Sequence, residues 1–295
     1  MPLIRVRTIR CSRKHTSVAQ NSFNVGVCLK VEDIELLVKQ VLDTEHYTVH
    51  ENTEALIELT KHNDPRIGEL LTQALSSTNP KVRAQAVSAL REIPDERAIN
   101  PLIACLEDSD TEVRWRAISV LAYLRIEAAI EPIIRKLTDR ESMVRFVTIM
   151  ALEQLKDVRA VESLIRMLEN VDNRIGGVTA HVIEALVAIG DHRAVEPLMT
   201  VVNLENTFED LYGRRKAVQG LGELRDARAV PILIKTLSDW SGEGQYVAGF
   251  KEAGGWPSMC DYAAQALEKI ATKEALEAVQ QWRSTPYPNG SLRPS

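Results

Sequence analysis

Histidine pairs, cysteines and rows of charged side chains are the parts of this sequence that could do chemistry. In "EHYTVHE", His46 and His50 stand four residues apart, a spacing that would put both on one helix face as metal ligands. No third histidine or cysteine lies nearby. A zinc-protease helix would also need Glu directly after the first histidine, where Tyr47 stands. A metal centre is therefore not expected. Neither a G-x-x-x-x-G-K phosphate loop nor a G-x-S-x-G elbow occurs, and no residue is assigned as catalytic. Cys11, Cys28, Cys105 and Cys260 are scattered without a CxxC pair. That usage argues against a disulfide framework and for a reducing, cytoplasmic setting. Cys105, in "LIACL", reads as a small buried hydrophobe.

Binding chemistry is better represented than catalysis. Glu131, Glu162 and Glu196 recur at equivalent places, and Arg135 and Arg166 follow the first two at i+4, the spacing of a modest surface pair. Such a carboxylate row could bind basic side chains, or be a solvated helix face. Residues 238–262, "SDWSGEGQYVAGFKEAGGWPSMCDY", hold Trp240, Tyr246, Phe250, Trp256 and Tyr262, five of the chain's 14 aromatic residues. They also hold five of its 14 glycines, together with Cys260. An aromatic, glycine-rich loop of this kind could clasp a flat apolar ligand or an exposed helix, or cap the last core. "NLENTFEDLYGRRK" (203–216) adds Phe208 and Tyr212, and "NVDNRIGGVTAHV" (170–182) is a further irregular stretch. The candidate ligand or partner contacts are Glu131, Glu162, Glu196, Tyr212, Trp240, Tyr246, Phe250, Trp256, Cys260 and Tyr262.

The elements that would position these residues come from a repeat. Leucines after a small residue recur at Leu59, Leu90, Leu121, Leu152, Leu186, Leu221 and Leu267, in steps of 31, 31, 31, 34, 35 and 46 residues. Four residues before them stand Ala55, Ala86, Ala117, Thr148, Val182, Ala217 and Ala263. A period in this range is the signature of a solenoid. Each unit reads as two helices, the first typified by "VRWRAISVLAYL", with Val113, Ala117, Val120, Leu121 and Leu124 on one stripe.

The second helix opens in a recurring phrase, "GDHRAVEPLM" at 190. Gly190 can adopt the left-handed conformation that ends the first helix. Asp191 can cap the next helix, and Pro197 is tolerated just after a short 3₁₀ lead-in. Asp64, Asp95, Asp157 and Asp226 take the place of Asp191, each followed two residues later by Arg; Ile126 and Ala128 break the pattern. A second ladder, Arg83, Arg114, Arg145 and Arg214, stands at the head of the first helices. The expectation is that these ladders pair between adjacent repeats; an anion-binding stripe is the functional alternative.

The fold expected is all-α, a right-handed α-solenoid (superhelix) of about seven HEAT-like helix pairs over residues 28–284, with residues 238–262 inserted. Residues 285–295 read as a flexible tail. Residues 1–27 form a basic segment with no acid, expected to be disordered, although an organelle-transit-like stretch or foreign upstream sequence would read the same way. The formal charge of −5 gives no basic face for nucleic acid, and no apolar run is long enough for a membrane span.

These units, and "IGDHRAVEPL" in particular, resemble HEAT-like repeats of the phycobilisome lyase type over roughly residues 50 to 283. The resemblance implies a scaffold that binds another protein through its concave face and C-terminal insertions, with no cofactor. The alternative it implies is a phycobilin lyase, lyase subunit or chaperone. Such a protein would hold a linear tetrapyrrole (bilin) for attachment to a phycobiliprotein cysteine, with a phycobiliprotein subunit or sister lyase subunit as partner. The glutamate row would then meet pyrrole N–H groups, and Cys260 could carry the bilin transiently as a thioether.

Overall fold

A computed structural model describes residues 31–43, 45–46, 49–62, 64–169, 178–204, 208–239 and 258–285. Within them the chain is a succession of α-helices with no strand: α1 (Val31–Leu42), α2 (Val49–Thr60), α3 (Pro65–Ala74), α4 (Pro80–Glu92), α5 (Ile99–Ala104), α6 (Thr111–Tyr123), α7 (Ile130–Arg135), α8 (Ser142–Leu155), α9 (Val161–Glu169), α10 (Val178–Ile189), α11 (Val195–Val202), α12 (Phe208–Leu224), α13 (Val230–Thr236), α14 (Met259–Ile270) and α15 (Lys273–Arg283). From α2 onward, even-numbered helices are the first helices of units and odd-numbered ones the second. From α4 to α12 each first helix packs on its own second helix or the preceding one, and on the first helix of the next unit, whereas α2 packs chiefly on α1, which in turn contacts α3 and α4.

The repeat leucines are the centre of this packing. All seven are 0% exposed. The alanines one turn earlier are buried too, and they let neighbouring first helices approach closely. Thr148 takes the alanine position in α8 without leaving an orphan hydroxyl, because its Oγ1 donates to the Val144 carbonyl at 2.7 Å. The approach is tightest between α12 and α14, where a Cβ on Gly222 would lie 2.7 Å from the Ala266 Cα.

The corners form as their residue types require. Gly190 is left-handed at φ +77°, and the side chain of Asp191 accepts from the Arg193 amide. A 3₁₀ turn, His192–Ala194, then leads into α11, with Pro197 in its first turn. Asp64, Asp95, Asp157 and Asp226 cap in the same way. Where Ile126 replaces the aspartate, its amide reaches back to the Leu121 carbonyl and that of left-handed Arg125 to the Ala122 carbonyl. This pairing closes the helix without a side-chain cap.

Each corner arginine wraps back onto its own aspartate, and Arg97, Arg159, Arg193 and Arg228 also reach the preceding unit. Arg97 donates to the Pro65 carbonyl at 2.7 Å, Arg159 to Glu127 at 2.7 Å, and Arg228 to the His192 carbonyl at 3.0 Å. The arginine side chain and amide hold the carboxyls of Asp64 and Asp191 down to about 2, and those of Asp95, Asp157 and Asp226 below the usual range. A carboxyl that titrates lower in the folded chain contributes stability above its unfolded pKa of about 4 and loses it as the pH falls toward the folded value. The urea midpoint should therefore drop steadily between about pH 4 and pH 2. Asp191→Asn should remove a share of that slope, and an unchanged slope would show that the corner does not carry it.

The head-of-helix arginines correct the expectation of pairing between repeats. Their carboxylate partner lies in their own unit, 25 residues on. Arg83 makes a two-pronged pair with Asp108 at 2.7 and 2.7 Å, Arg114 one with Asp139 at 3.0 and 3.0 Å, and Arg214 reaches Asp239. The link to the preceding unit goes to carbonyls instead: Arg114 to Asp108 O at 2.9 Å and Arg145 to Asp139 O at 2.8 Å. This geometry binds the ladder inward, so it is not an open anion-binding stripe.

Candidate functional site

The three glutamates of the second helices are exposed, and two of them are engaged with the next unit. Glu162 meets Arg193 at 2.9 Å and Glu196 approaches Arg228 at 3.9 Å. The i+4 pair expected for Glu162 and Arg166 does not form; Arg166 instead donates to Ser163 Oγ at 2.9 Å. The corner arginine, fixed by its aspartate, presents its free prong to Glu162 at lower entropic cost than a mobile Arg166 would. Glu131 is exposed on α7, beside a corner that uses Glu127. Glu162 and Glu196 thus take part in stacking the array.

Cys260 differs from its reading as a contact residue. It is 0% exposed, in the first turn of α14, with Sγ 2.8 Å from Ser258 Oγ. Ser258 caps α14, and Asp261 returns a bond to the Ser258 amide at 2.8 Å. Cysteine stands where other units place a long arginine, and the shorter side chain folds into the core beneath that cap. Cys105 is buried as expected, and burial pushes its thiol up to about 11. Neither thiol is available as a surface nucleophile. Trp240, Tyr246, Phe250 and Trp256 lie outside the described residues.

Tyr262 lines the described part of a groove of about 390 Å³, and Tyr212 stands beside Lys216 on its border. Its floor is Ile183, Val187, Gly220 and Ala266, from α10, α12 and α14. Two ion pairs bridge consecutive first helices along it, Glu184 with Lys216 and Glu223 with Lys269. The bond from Glu184 raises the Lys216 pKa and keeps that ammonium charged. Lys216 also stands 5.6 Å from the Tyr212 ring, and Arg215 stands 6.0 Å from that of Tyr262. Tyr212 is exposed and Tyr262 half-buried, so both candidates lie on this row of first helices.

Beside the groove lies a feature the sequence reading missed. Met143, Phe146 and Met150 fall at i, i+3 and i+7 on α8 and face outward, Met143 being 54% and Met150 41% exposed, while Val147 beside them packs partly on the core. Tyr123 of α6 is exposed as well, under the Arg91 guanidinium at 4.3 Å. Phe146 meets His181 of α10 edge-to-face at 5.0 Å. A helix that presents an apolar stripe on both faces is built to bury the second one against something else. The signal was the run "SMVRFVTIM", which puts Met150 where α4, α6, α10, α12 and α14 place Ser88, Ser119, Glu184, Gln219 and Gln265. Among the described residues no group of three or more His, Cys, Asp or Glu could hold a metal ion. His46 instead pairs with Asp43 at 2.9 Å.

Comparison with known proteins agrees with this architecture. HEAT repeats match residues 34–111 and 99–176, and a PBS lyase HEAT-like repeat matches residues 213–239. No curated protein matches the chain. Among solved structures, Kap121p bound to Nup53p superposes with a TM-score of 0.60 at 16% identity, over 85% of this chain but only 31% of Kap121p. Escherichia coli YibA gives 0.55 at 14% identity, over 92% of this chain and 100% of YibA. The CpcE and CpcF complex of phycocyanin lyase from Nostoc sp. gives 0.41 at 20% identity, over 82% and 99%. The first two are likenesses of fold. No helix among the described residues is long and apolar enough to cross a membrane. Stacked helix pairs, aspartate-capped corners and buried repeat leucines, matched by these models along most of the array, make the chain a HEAT-repeat protein with a repeat of the phycobilisome lyase type.

Proposed function

We propose that this HEAT-repeat scaffold docks another protein along the outward face of its first helices, from α6 to α14. The observation that carries the reading is the exposed stripe of Met143, Phe146 and Met150 on α8, the helix whose Glu153 also lines the groove formed with α10, α12 and α14. Met and aromatic side chains supply adaptable apolar contact, and the Glu184–Lys216 and Glu223–Lys269 pairs supply a polar border that fixes register. The segment 238–262 joins α13 to α14, its Tyr262 lines that groove, and its other aromatics would set specificity. Met150→Asp should weaken partner binding by about 30-fold or more, the scale of a buried interface anchor. Its thermal midpoint should stay within about 2 °C, because the side chain is already exposed. Binding curves of wild type and variant against the captured partner test this; equal affinities would remove α8 from the interface.

A second reading, a bilin-handling protein, draws on the phycobilisome-lyase-type repeat at 213–239. On that reading the bilin lies non-covalently in the groove floored by Val187 and Ala266, since Cys260 is enclosed. Production in cells that make phycocyanobilin, followed by an absorption spectrum, separates the two readings. Colour that survives purification and fades in Tyr262→Ala supports bilin binding; a colourless protein leaves protein docking.

A further inference from the structure

A second groove lies at the other end of the array, far along the chain from the face described above. It is bounded by α1, α3 and α4 and encloses about 450 Å³. Val38, Leu42, Leu70 and Val82 form apolar walls, and Glu35, Asp43 and Glu45 lie on the rim with Lys39 and His46. The His46 ring is already committed to Asp43 and Lys81 approaches Glu45 at 3.9 Å, so the rim's three carboxylates outnumber the ammonium groups of Lys39 and Lys81.

Charge along the chain is segregated in a way that matches this groove. Residues 31–46 hold five acids, Glu32, Asp33, Glu35, Asp43 and Glu45, against Lys39 alone among Lys and Arg. Residues 1–30 hold six cations and no acid, so the remainder carries a formal −11 within the chain total of −5. In the basic stretch, Ile4 and Val6 alternate with Arg5 and Arg7, followed by Ile9 and Arg10. An extended segment puts alternate side chains on opposite faces. Ile4 and Val6 would then meet the walls while Arg5 and Arg7 meet the rim.

We propose that residues 3–10 of this chain dock in cis in the groove between α1, α3 and α4, as a strap across the start of the array. The tether permits it. The 20 residues between Arg10 and Val31 can span up to ~70 Å, whereas α1, with 12 residues, is only ~18 Å long. A tethered segment meets its site at an effective concentration near the millimolar range, so weak intrinsic affinity suffices. The strap covers apolar wall that an end unit otherwise leaves to solvent, and a basic, apolar segment from elsewhere would have to displace it.

The native thiol at Cys11, one residue beyond the strap, makes the test direct. In full-length protein carrying Cys28→Ser, a second thiol is placed at the rim with Lys39→Cys, or away from it with Glu92→Cys; Lys39 and Glu92 are both exposed. Mild oxidation and peptide mapping then measure disulfide formation to Cys11. Cys105 and Cys260 are buried and do not compete. The expected result is a disulfide within one chain between Cys11 and the thiol introduced by Lys39→Cys. It should form about tenfold faster than the control bond and at a rate independent of protein concentration. Reversing Arg5, Arg7 and Arg10 to Glu should bring it down to the control rate. Equal rates at rim and control, or no response to charge reversal, would overturn the proposal. Bonds between two isotopically distinct copies, faster at higher concentration, would replace the cis strap with an exchange between molecules.

Discussion

Arg114→Ala should destabilise the protein by about 3–5 kcal/mol, the range for removing one partner of a buried ion pair. The Arg114 side chain is 4% exposed and that of Asp139 7%. Burial works to raise the Asp139 carboxyl, and the Arg114 guanidinium outweighs it and holds it below the usual carboxylate range. Without the guanidinium, only the Glu141 amide and the Lys136 charge would offset burial, and the carbonyls of Asp108 and Ser109 would also lose a donor. Urea unfolding at neutral pH measures the loss. Arg114→Met combined with Asp139→Leu should recover much of it, because the cost lies in the stranded carboxylate more than in the missing attraction. Arg97→Ala supplies the contrast. Its side chain is half exposed, so solvent screens the pair and the loss there should be much smaller. Similar losses at both positions would show that the inward ladder is no more than a set of surface pairs.

Leu152→Ala should cost about 2–5 kcal/mol and change the shape of the transition as well as its midpoint. Leu152 is fully buried on α8 and belongs to the continuous core of the array. A solenoid's stability is a sum of unit and nearest-neighbour terms, so a cavity in the middle unit uncouples the array on either side of it. Hydrogen exchange should show α8 and α9 opening first, with α2 to α5 keeping most of their protection. Met150→Ala, on the exposed face of the same helix, should stay within about 0.5 kcal/mol. Uniform loss of protection along the whole chain would argue against local stability.

The fold was legible because the repeat states its physics many times over. A leucine at a fixed register with alanine one turn before it has one economical environment, and the seven leucines occupy it. The Gly190–Asp191 corner was legible for the same reason, since a left-handed residue followed by a capping aspartate is a local arrangement. Partners 25 residues apart were not. The Arg114–Asp139 bond depends on how the two helices of a unit return on one another, which periodicity alone does not report. The enclosure of Cys260 was not legible because its register position is occupied by long arginines elsewhere, while its short side chain folds beneath the Ser258 cap. The α8 stripe escaped notice because Met143, Phe146 and Met150 look like core residues in a sequence, and their exposure follows only once Val144, Ile149 and Leu152 have filled the inner face.

The arginine at the head of α4, α6, α8 and α12 has a bearing on how such a chain can change length. Its sequence-specific partner, Asp108 for Arg83 or Asp139 for Arg114, travels in the same unit. Its bond to the unit before goes to a main-chain carbonyl, which every amino acid provides. A duplicated or deleted block of 31 residues therefore meets its new neighbour with the junction bonds already available and needs no matching substitution across the seam. The array can grow or shrink by gene duplication one whole cassette at a time, leaving the outward-facing positions free to diverge.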